Sequence, residues 1–390
     1  MANKRPQPSR VRVRPGGGPP PSVDGHPGWV EADSAAWGFL AALLICASGL
    51  LSGTGPILTQ ARSAAWWVTL LGTTLGALLI WLPLWRIMHG QDGKALSYDE
   101  ALRAAFGEPV GKILSLLTAV AALLDTALLL RCLCGIVPLY LIEGASEIAI
   151  AFAAVAALGL ILCRHGGRGF SRCAWALRFL LFGLLAVSGV LMLENANVYN
   201  LVPVFGESAN ATLAVFPIAL GNGAGVMLLG LLPRFTGSAR PPCLRRGVVP
   251  AILGGILCGV LTLLTNLSIP PHSIRDTIPG GIRLMLAIEY LRRSQLYRMF
   301  YHYALLMLFL LSAGAAMAGC GGMLAGAWRN RFQWRHALAA ALLCAAIALC
   351  PDGQFFQTLW QLRLYRAALL IVPPWAAFAL RGIRGAKGRG

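Results

Sequence analysis

From Ala36 to Leu380 the chain is a succession of apolar windows, each about as long as a helix needs to cross a hydrocarbon layer and each closed by a short polar or basic connection. A crossing takes roughly 20 residues. In hydrocarbon no water is present to bond a free N–H or C=O, so each crossing must satisfy its own backbone. Ten windows meet the length: residues 36–60, 65–88, 111–141, 146–163, 170–193, 211–233, 247–269, 296–328, 336–350 and 364–380. The expected fold is an all-α integral membrane protein of about ten transmembrane helices, with the ninth window the shortest.

Composition removes the soluble alternatives. The chain is 57% hydrophobic and 12% charged, outside the range of soluble domains. A net charge of +18 would suggest nucleic acid in a soluble protein. Here most Lys and Arg lie in short connections, where they set orientation, and no basic, aromatic-interleaved domain remains to bind nucleic acid. With the N-terminal segment placed in the cytoplasm, the basic residues concentrate on its side: around 86–112, 164–172, 234–246 and 329–335, and at the C-terminal end. Both termini are therefore expected inside, with an even number of spans.

Three regions follow. Residues 1–34, basic and rich in Pro and Gly without an apolar signal-peptide core, read as a disordered cytoplasmic tail. Residues 35–383 read as one transmembrane domain with half-repeats at about 35–195 and 205–381, and 384–390 as a basic C-terminal tail. Most of the ten cysteines sit in apolar windows without CxxC pairs, so they read as small buried hydrophobes; no disulfide, metal or cofactor is expected. Two connections carry structure of their own. "LSYDEALRAAFG" places Ser97 as N-cap with Glu100 three residues on, a capping box opening a short cytoplasmic helix. "IPGGIRLMLAIEYLRRSQ", before the eighth window, reads as an outer-face interfacial helix.

Two windows are interrupted. "SGTGP" places Ser52, Gly53, Thr54, Gly55 and Pro56 where the first helix should continue. Proline lacks an N–H and its ring clashes with the carbonyl four residues back, so the helix is expected to unwind there. The sixth window has Pro217 followed by Gly221, Asn222, Gly223 and Gly225. These windows hold the same place in two five-span halves. A matched pair of interrupted helices points to an inverted-repeat transporter with a midplane site, whose half-helix ends suit a zwitterion such as an amino acid. The candidate ligand-binding residues are Ser52, Gly53, Thr54, Gly55, Gly221, Asn222, Gly223 and Ser312 of the eighth window. The competing reading is close helix packing, which small residues also serve, and for Ser312 and the "GCGG" run at 319–322 packing is preferred.

Charge in mid-membrane costs at least about 2.5–3.5 kcal/mol and calls for a function or a partner. Asp125 in the third window is a candidate proton- or cation-coupling residue, or one half of a structural ion pair. Arg131, a structural-charge candidate, lies about 240° round the helix from it, so each needs an interhelical partner. Arg178 is expected to snorkel, and Trp66, Trp67, Trp81 and Trp85 to form interfacial belts.

The chain resembles the endospore germination permeases of the amino acid–polyamine–cation transporter superfamily, from about Trp37 to Leu380. The stretches that carry the likeness are "SGTGPILTQARSAAWW", "YDEALRAAFGEPVGKILSLL", Arg131, "NLVP" (200–203), the Gly-rich sixth window and "IPGGIRLMLAIEYL". The resemblance implies a five-plus-five inverted repeat, ligand contacts from the first, third, sixth and eighth spans, and sensing of a small germinant, often an amino acid, in the spore inner membrane. It also implies companions, a larger membrane subunit and a lipoprotein. Cys132 stands where the family would lead one to expect an acidic partner for Arg131. The alternative is an autonomous H⁺- or Na⁺-coupled amino acid transporter of the bacterial cell membrane. An enzyme is not expected, since no paired carboxylates, HExxH or Ser/His/Asp arrangement occurs in the windows.

Overall fold

The computed structural model describes residues 27–88, 96–140, 144–165, 167–236, 241–269, 295–327, 334–351 and 353–387. Helix occupies each of the ten windows. Helix α1 (Pro27–Ala47) passes through a π-helical stretch (Ser48–Gly53) into α2 (Thr54–Ala61), and α3 (Ala65–Ile87) follows. The short α4 (Tyr98–Phe106) precedes α5 (Glu108–Tyr140), α6 (Glu147–His165) and α7 (Gly167–Met192). In the second half, α8 (Ala209–Asn222) passes through a 3₁₀ turn (Gly223–Val226) into α9 (Met227–Thr236). There follow α10 (Pro241–Ser268), α11 (Gln295–Ala327), α12 (Trp334–Ala348) and α13 (Gly353–Lys387). Among the described residues there is no strand.

Six of the described helical stretches are long and apolar enough to cross a membrane, and three further apolar helices, Ala35–Leu50, Glu147–Leu160 and Arg335–Ala348, are shorter. Large apolar side chains point outward along the spans, among them Phe179, Val190, Val249 and Leu253, as a lipid-facing surface requires.

Helix α1 starts at Pro27, so it shares residues 27–34 with the tail expected over 1–34. Proline suits the first helical position because the missing N–H has no intrahelical acceptor there anyway. Residues 1–26 lie outside the described residues, as does most of the interfacial helix expected before the eighth window. Helix α4 forms where its capping box placed it: the Ser97 N–H donates to Glu100 Oε2 at 2.8 Å, and Gly107, at φ 87°, ends the helix. Tyr98 of α4 is fully buried, and that burial pushes its phenol up to about 12.

Two belt and snorkel expectations divide. Arg178 lies at the surface, its guanidinium stacked over Trp175 and Phe179 at 3.8 and 4.2 Å. Trp81 is a core residue instead, 5% exposed, because α3 is enclosed on several sides by α10, α8 and α13.

Candidate functional site

Both interruptions are changes of helical pitch, where full unwinding was expected. In the first helix the π-helical stretch lies just ahead of Pro56, and Pro56 falls in the first turn of α2, where a missing N–H leaves no broken bond. Adding a residue to the turn accommodates the proline without opening the chain. The side chains of Ser52, Gly53, Thr54 and Gly55 lie outside the described set.

In the sixth window the chain tightens. The 3₁₀ turn packs against α1 and α3, and its glycines permit the approach. A Cβ at Gly223 would lie 2.3 Å from the Ala77 nitrogen, and one at Gly225 2.9 Å from the Ala41 carbonyl oxygen. The two pitch changes are neighbours, since the π-helical stretch rests on α8 and the 3₁₀ turn on α1. A pitch change leaves fewer backbone groups free than an unwound segment would, so half-helix dipoles contribute less to this site than a full break would give.

Side-chain charge stands in their place. Arg366 of α13 donates from Nη1 to Asp125 Oδ1 of α5 at 2.5 Å, and both residues are buried, 9% and 7% exposed. The pair forms part of the wall of a small, partly open cavity of about 50 Å³. Leu44 of α1, Ala122 and Thr126 of α5, Ala224 and Gly225 of the turn, Met227 and Leu228 of α9, and Ala316, Gly319, Cys320 and Met323 of α11 complete the wall with Leu370 of α13. On its other side the pair borders a cleft of about 160 Å³ between α5 and α13, lined by Leu117, Val120, Leu124, Leu362 and Tyr365 among others. One ion pair thus lies between two partly open apolar pockets.

The remaining sequence candidates fall around this centre. Gly221 faces Arg366 and Ala367 at contact distance, and Gly223 is packed on α3. Asn222 is fully buried, and among the described residues neither Oδ1 nor Nδ2 has a hydrogen-bond partner. An orphaned buried amide is uncommon and marks a place where a ligand, a water or a second conformation would supply the partner. Ser312 donates its hydroxyl to the Leu308 carbonyl one turn back, 2.6 Å away. Arg131 finds its partner across helices: it donates to Glu147 Oε2 at 2.5 Å at the start of α6 and reaches the Ala348 carbonyl at 3.4 Å.

The sequence reading does not single out Arg366, which lies only two residues inside the tenth window. The signal was present: a mid-span Asp demands an interhelical cation, and Arg366 is one of few arginines inside a window. Thr126, Cys320 and Met323 carried no signal, because only the packing of α5 against α11 turns them toward a common space.

A family model described as "Spore germination protein" matches residues 34–267, from α1 to the last turn of α10. No curated protein matches the chain. Among solved structures the chain is similar to an Eremococcus coleocola manganese transporter, at 16% identity and TM-score 0.57, over 90% of this chain and 80% of that one. A substrate-bound, outward-open Na⁺-coupled sialic acid symporter gives 11% identity and TM-score 0.60, over 86% of this chain and 78% of that one. A nucleobase-cation-symport-1 family transporter in a closed conformation gives 14% and 0.56, over 86% and 77%. At these identities the structures establish the fold, that of transporters built as inverted five-helix repeats with interrupted first and sixth helices. With more than half of its length matched by the family model, the chain belongs to the spore germination protein family, as a membrane permease of transporter fold.

Proposed function

We propose that this permease binds a small zwitterionic germinant, an amino acid, in the cavity bordered by Asp125 and Arg366. Binding shifts the balance between inward- and outward-open states. The observation that carries the reading is the buried pair itself. Leaving one partner of a buried ion pair uncompensated costs about 3–5 kcal/mol, so a ligand with a single charge would strand either Asp125 or Arg366. A zwitterion presents an ammonium to the carboxylate and a carboxylate to the guanidinium, and strands neither. Among the described residues no three His, Cys, Asp or Glu side chains converge as a metal ion would need, which favours an organic ligand. Asn222, buried with both amide atoms unpartnered among the described residues, and the "SGTG" segment are the further ligand contacts in this reading.

In this reading the protein works in a bacterial spore inner membrane with both termini cytoplasmic, alongside a larger membrane subunit and a lipoprotein. Support comes from the family and from the distribution of Lys and Arg among the connections.

The test is binding of labelled amino acids to purified protein at two pH values, with Asp125→Asn and Arg366→Gln beside the parent chain. Each substitution is expected to weaken binding roughly tenfold or more. Unchanged affinity in both variants would exclude the pair from the site. A second reading, autonomous transport coupled to H⁺ or Na⁺, is favoured by the position of Asp125 at the cavity wall, where a carboxylate can exchange a proton or cation. Uptake by the isolated protein in proteoliposomes under an ion gradient supports transport; binding without uptake supports sensing.

A further inference from the structure

The connection between α7 and α8 is uncharged from Asn195 to Gly206 and is bounded by Glu194 and Glu207. It is held firmly. The Asn197 N–H donates to the Leu267 carbonyl at 3.0 Å, and Asn200 Nδ2 to the same oxygen at 2.8 Å. Ser63 Oγ donates to the Pro203 carbonyl at 2.6 Å, Trp67 Nε1 to the Val204 carbonyl at 2.9 Å, and Thr212 Oγ1 to the Phe205 carbonyl at 2.8 Å. These backbone carbonyls and side-chain amides turn to the bundle; of the apolar side chains, Phe205 packs one edge on Trp67 with the ring centroids 6.2 Å apart, and the others turn outward. Val198 is 70% exposed, Tyr199 85%, Val202 65%, Val204 53% and Phe205 65%. A rigid, uncharged, apolar patch of this kind needs a cover.

Three features say which cover. The connection joins the ends of two spanning helices and is bonded to the Trp67 indole, an aromatic at a helix end where interfacial belts lie. The patch continues the lipid-facing surface of the spans: Val190 and Leu193 lead into it from α7, and Leu213 leads out along α8. Its polar border is sharp, with Glu194 on one side and the Arg62–Glu207 ion pair on the other. We propose that residues 198–205 form a lipid-interface wedge whose five apolar side chains sit among headgroups and upper acyl chains. This placement is independent of what the central cavity binds.

Spin labels on Tyr199→Cys and, as a lipid-facing reference, Leu213→Cys test it in the full chain reconstituted in phosphatidylcholine vesicles, with the labelled parent chain as blank for the native cysteines. Both positions are highly exposed, so folding is not at stake. At position 199, collisions with dissolved oxygen are expected to exceed those with a water-soluble nickel chelate several-fold, as at 213. Chelate-dominated relaxation would place the loop in water and overturn the proposal. Shielding from both reagents would show a protein cover, such as a second copy of the chain, and would overturn it equally.

Discussion

Asp125 and Arg366 meet at 2.5 Å across 241 residues of sequence, joining the third spanning helix to the last. Both side chains are buried, so the pair's desolvation must be offset by its attraction, and removing one side deprives the other of its ion-pair partner. Asp125→Asn or Arg366→Met alone is expected to lower stability by about 3–5 kcal/mol, and the double variant to recover much of the loss. Thermal unfolding of the four proteins in one detergent measures the coupling. Purely additive losses would show that the two residues do not act as a pair.

The Arg131–Glu147 pair has the same length and a different setting. Its side chains are 35% and 45% exposed, so water screens it and its contribution should stay within about 1 kcal/mol. Glu147→Gln is therefore expected to cost far less than Asp125→Asn and to lose even that at high salt. A loss as large as that of the buried pair would show that the lipid environment dries this site.

How much of this was legible beforehand follows from what each feature depends on. Length and hydropathy are local, so the windows and the helix cap at Ser97 could be read directly. Asp125 could be singled out because a lone mid-span carboxylate is anomalous on its own helix. Its partner could not be chosen, since that depends on which distant helix α5 meets. The interruptions were visible as Pro and Gly, but whether such a segment unwinds or changes pitch depends on neighbours that press on it, here Ala77 on Gly223 and Ala41 on Gly225. For Ser312 the sequence offered a free hydroxyl, and the helix took it for its own carbonyl.

That last point is testable. Because its proton goes to Leu308, Ser312→Ala is expected to change stability by no more than about 0.5–1.5 kcal/mol and to leave ligand affinity as it was. Binding isotherms of the variant beside the parent chain check it. A marked loss of affinity at unchanged stability would return Ser312 to the binding site.

Glycine substitutions separate close packing from helix propensity. Gly223→Ala would drive a methyl group into the backbone of α3 and is expected to cost about 1–3 kcal/mol. Gly135→Ala, in α5 with nothing within 4 Å of the new methyl among the described residues, is expected to gain up to about 1 kcal/mol. Melting temperatures of opposite sign relative to the parent chain are the readout. A neutral Gly223→Ala would mean that the turn can move away from α3 at little cost.

At the end of α11 nearest α4, one arginine bridges the two helices. Arg103 donates to Asp99 Oδ2 at 3.0 Å and to the Gly326 carbonyl in the last turn of α11, and lies 3.7 Å from Glu108. A cation at a helix C-terminus satisfies a carbonyl that has no intrahelical donor and complements the helix dipole. Because α11 also lines the central cavity, this contact fixes one end of a cavity wall. Arg103→Gln keeps a donor but loses the charge, and hydrogen bonds to charged groups are worth about 1.5–3 kcal/mol, so a loss of that order is expected. The loss should be local. Amide exchange should quicken in α4 and the last turns of α11, while α7, which among the described residues makes no extensive contact with α4, keeps its protection. Uniform quickening through every helix would mean that the contact supports the whole bundle; no change at α11 would mean that Gly326 finds its donor elsewhere.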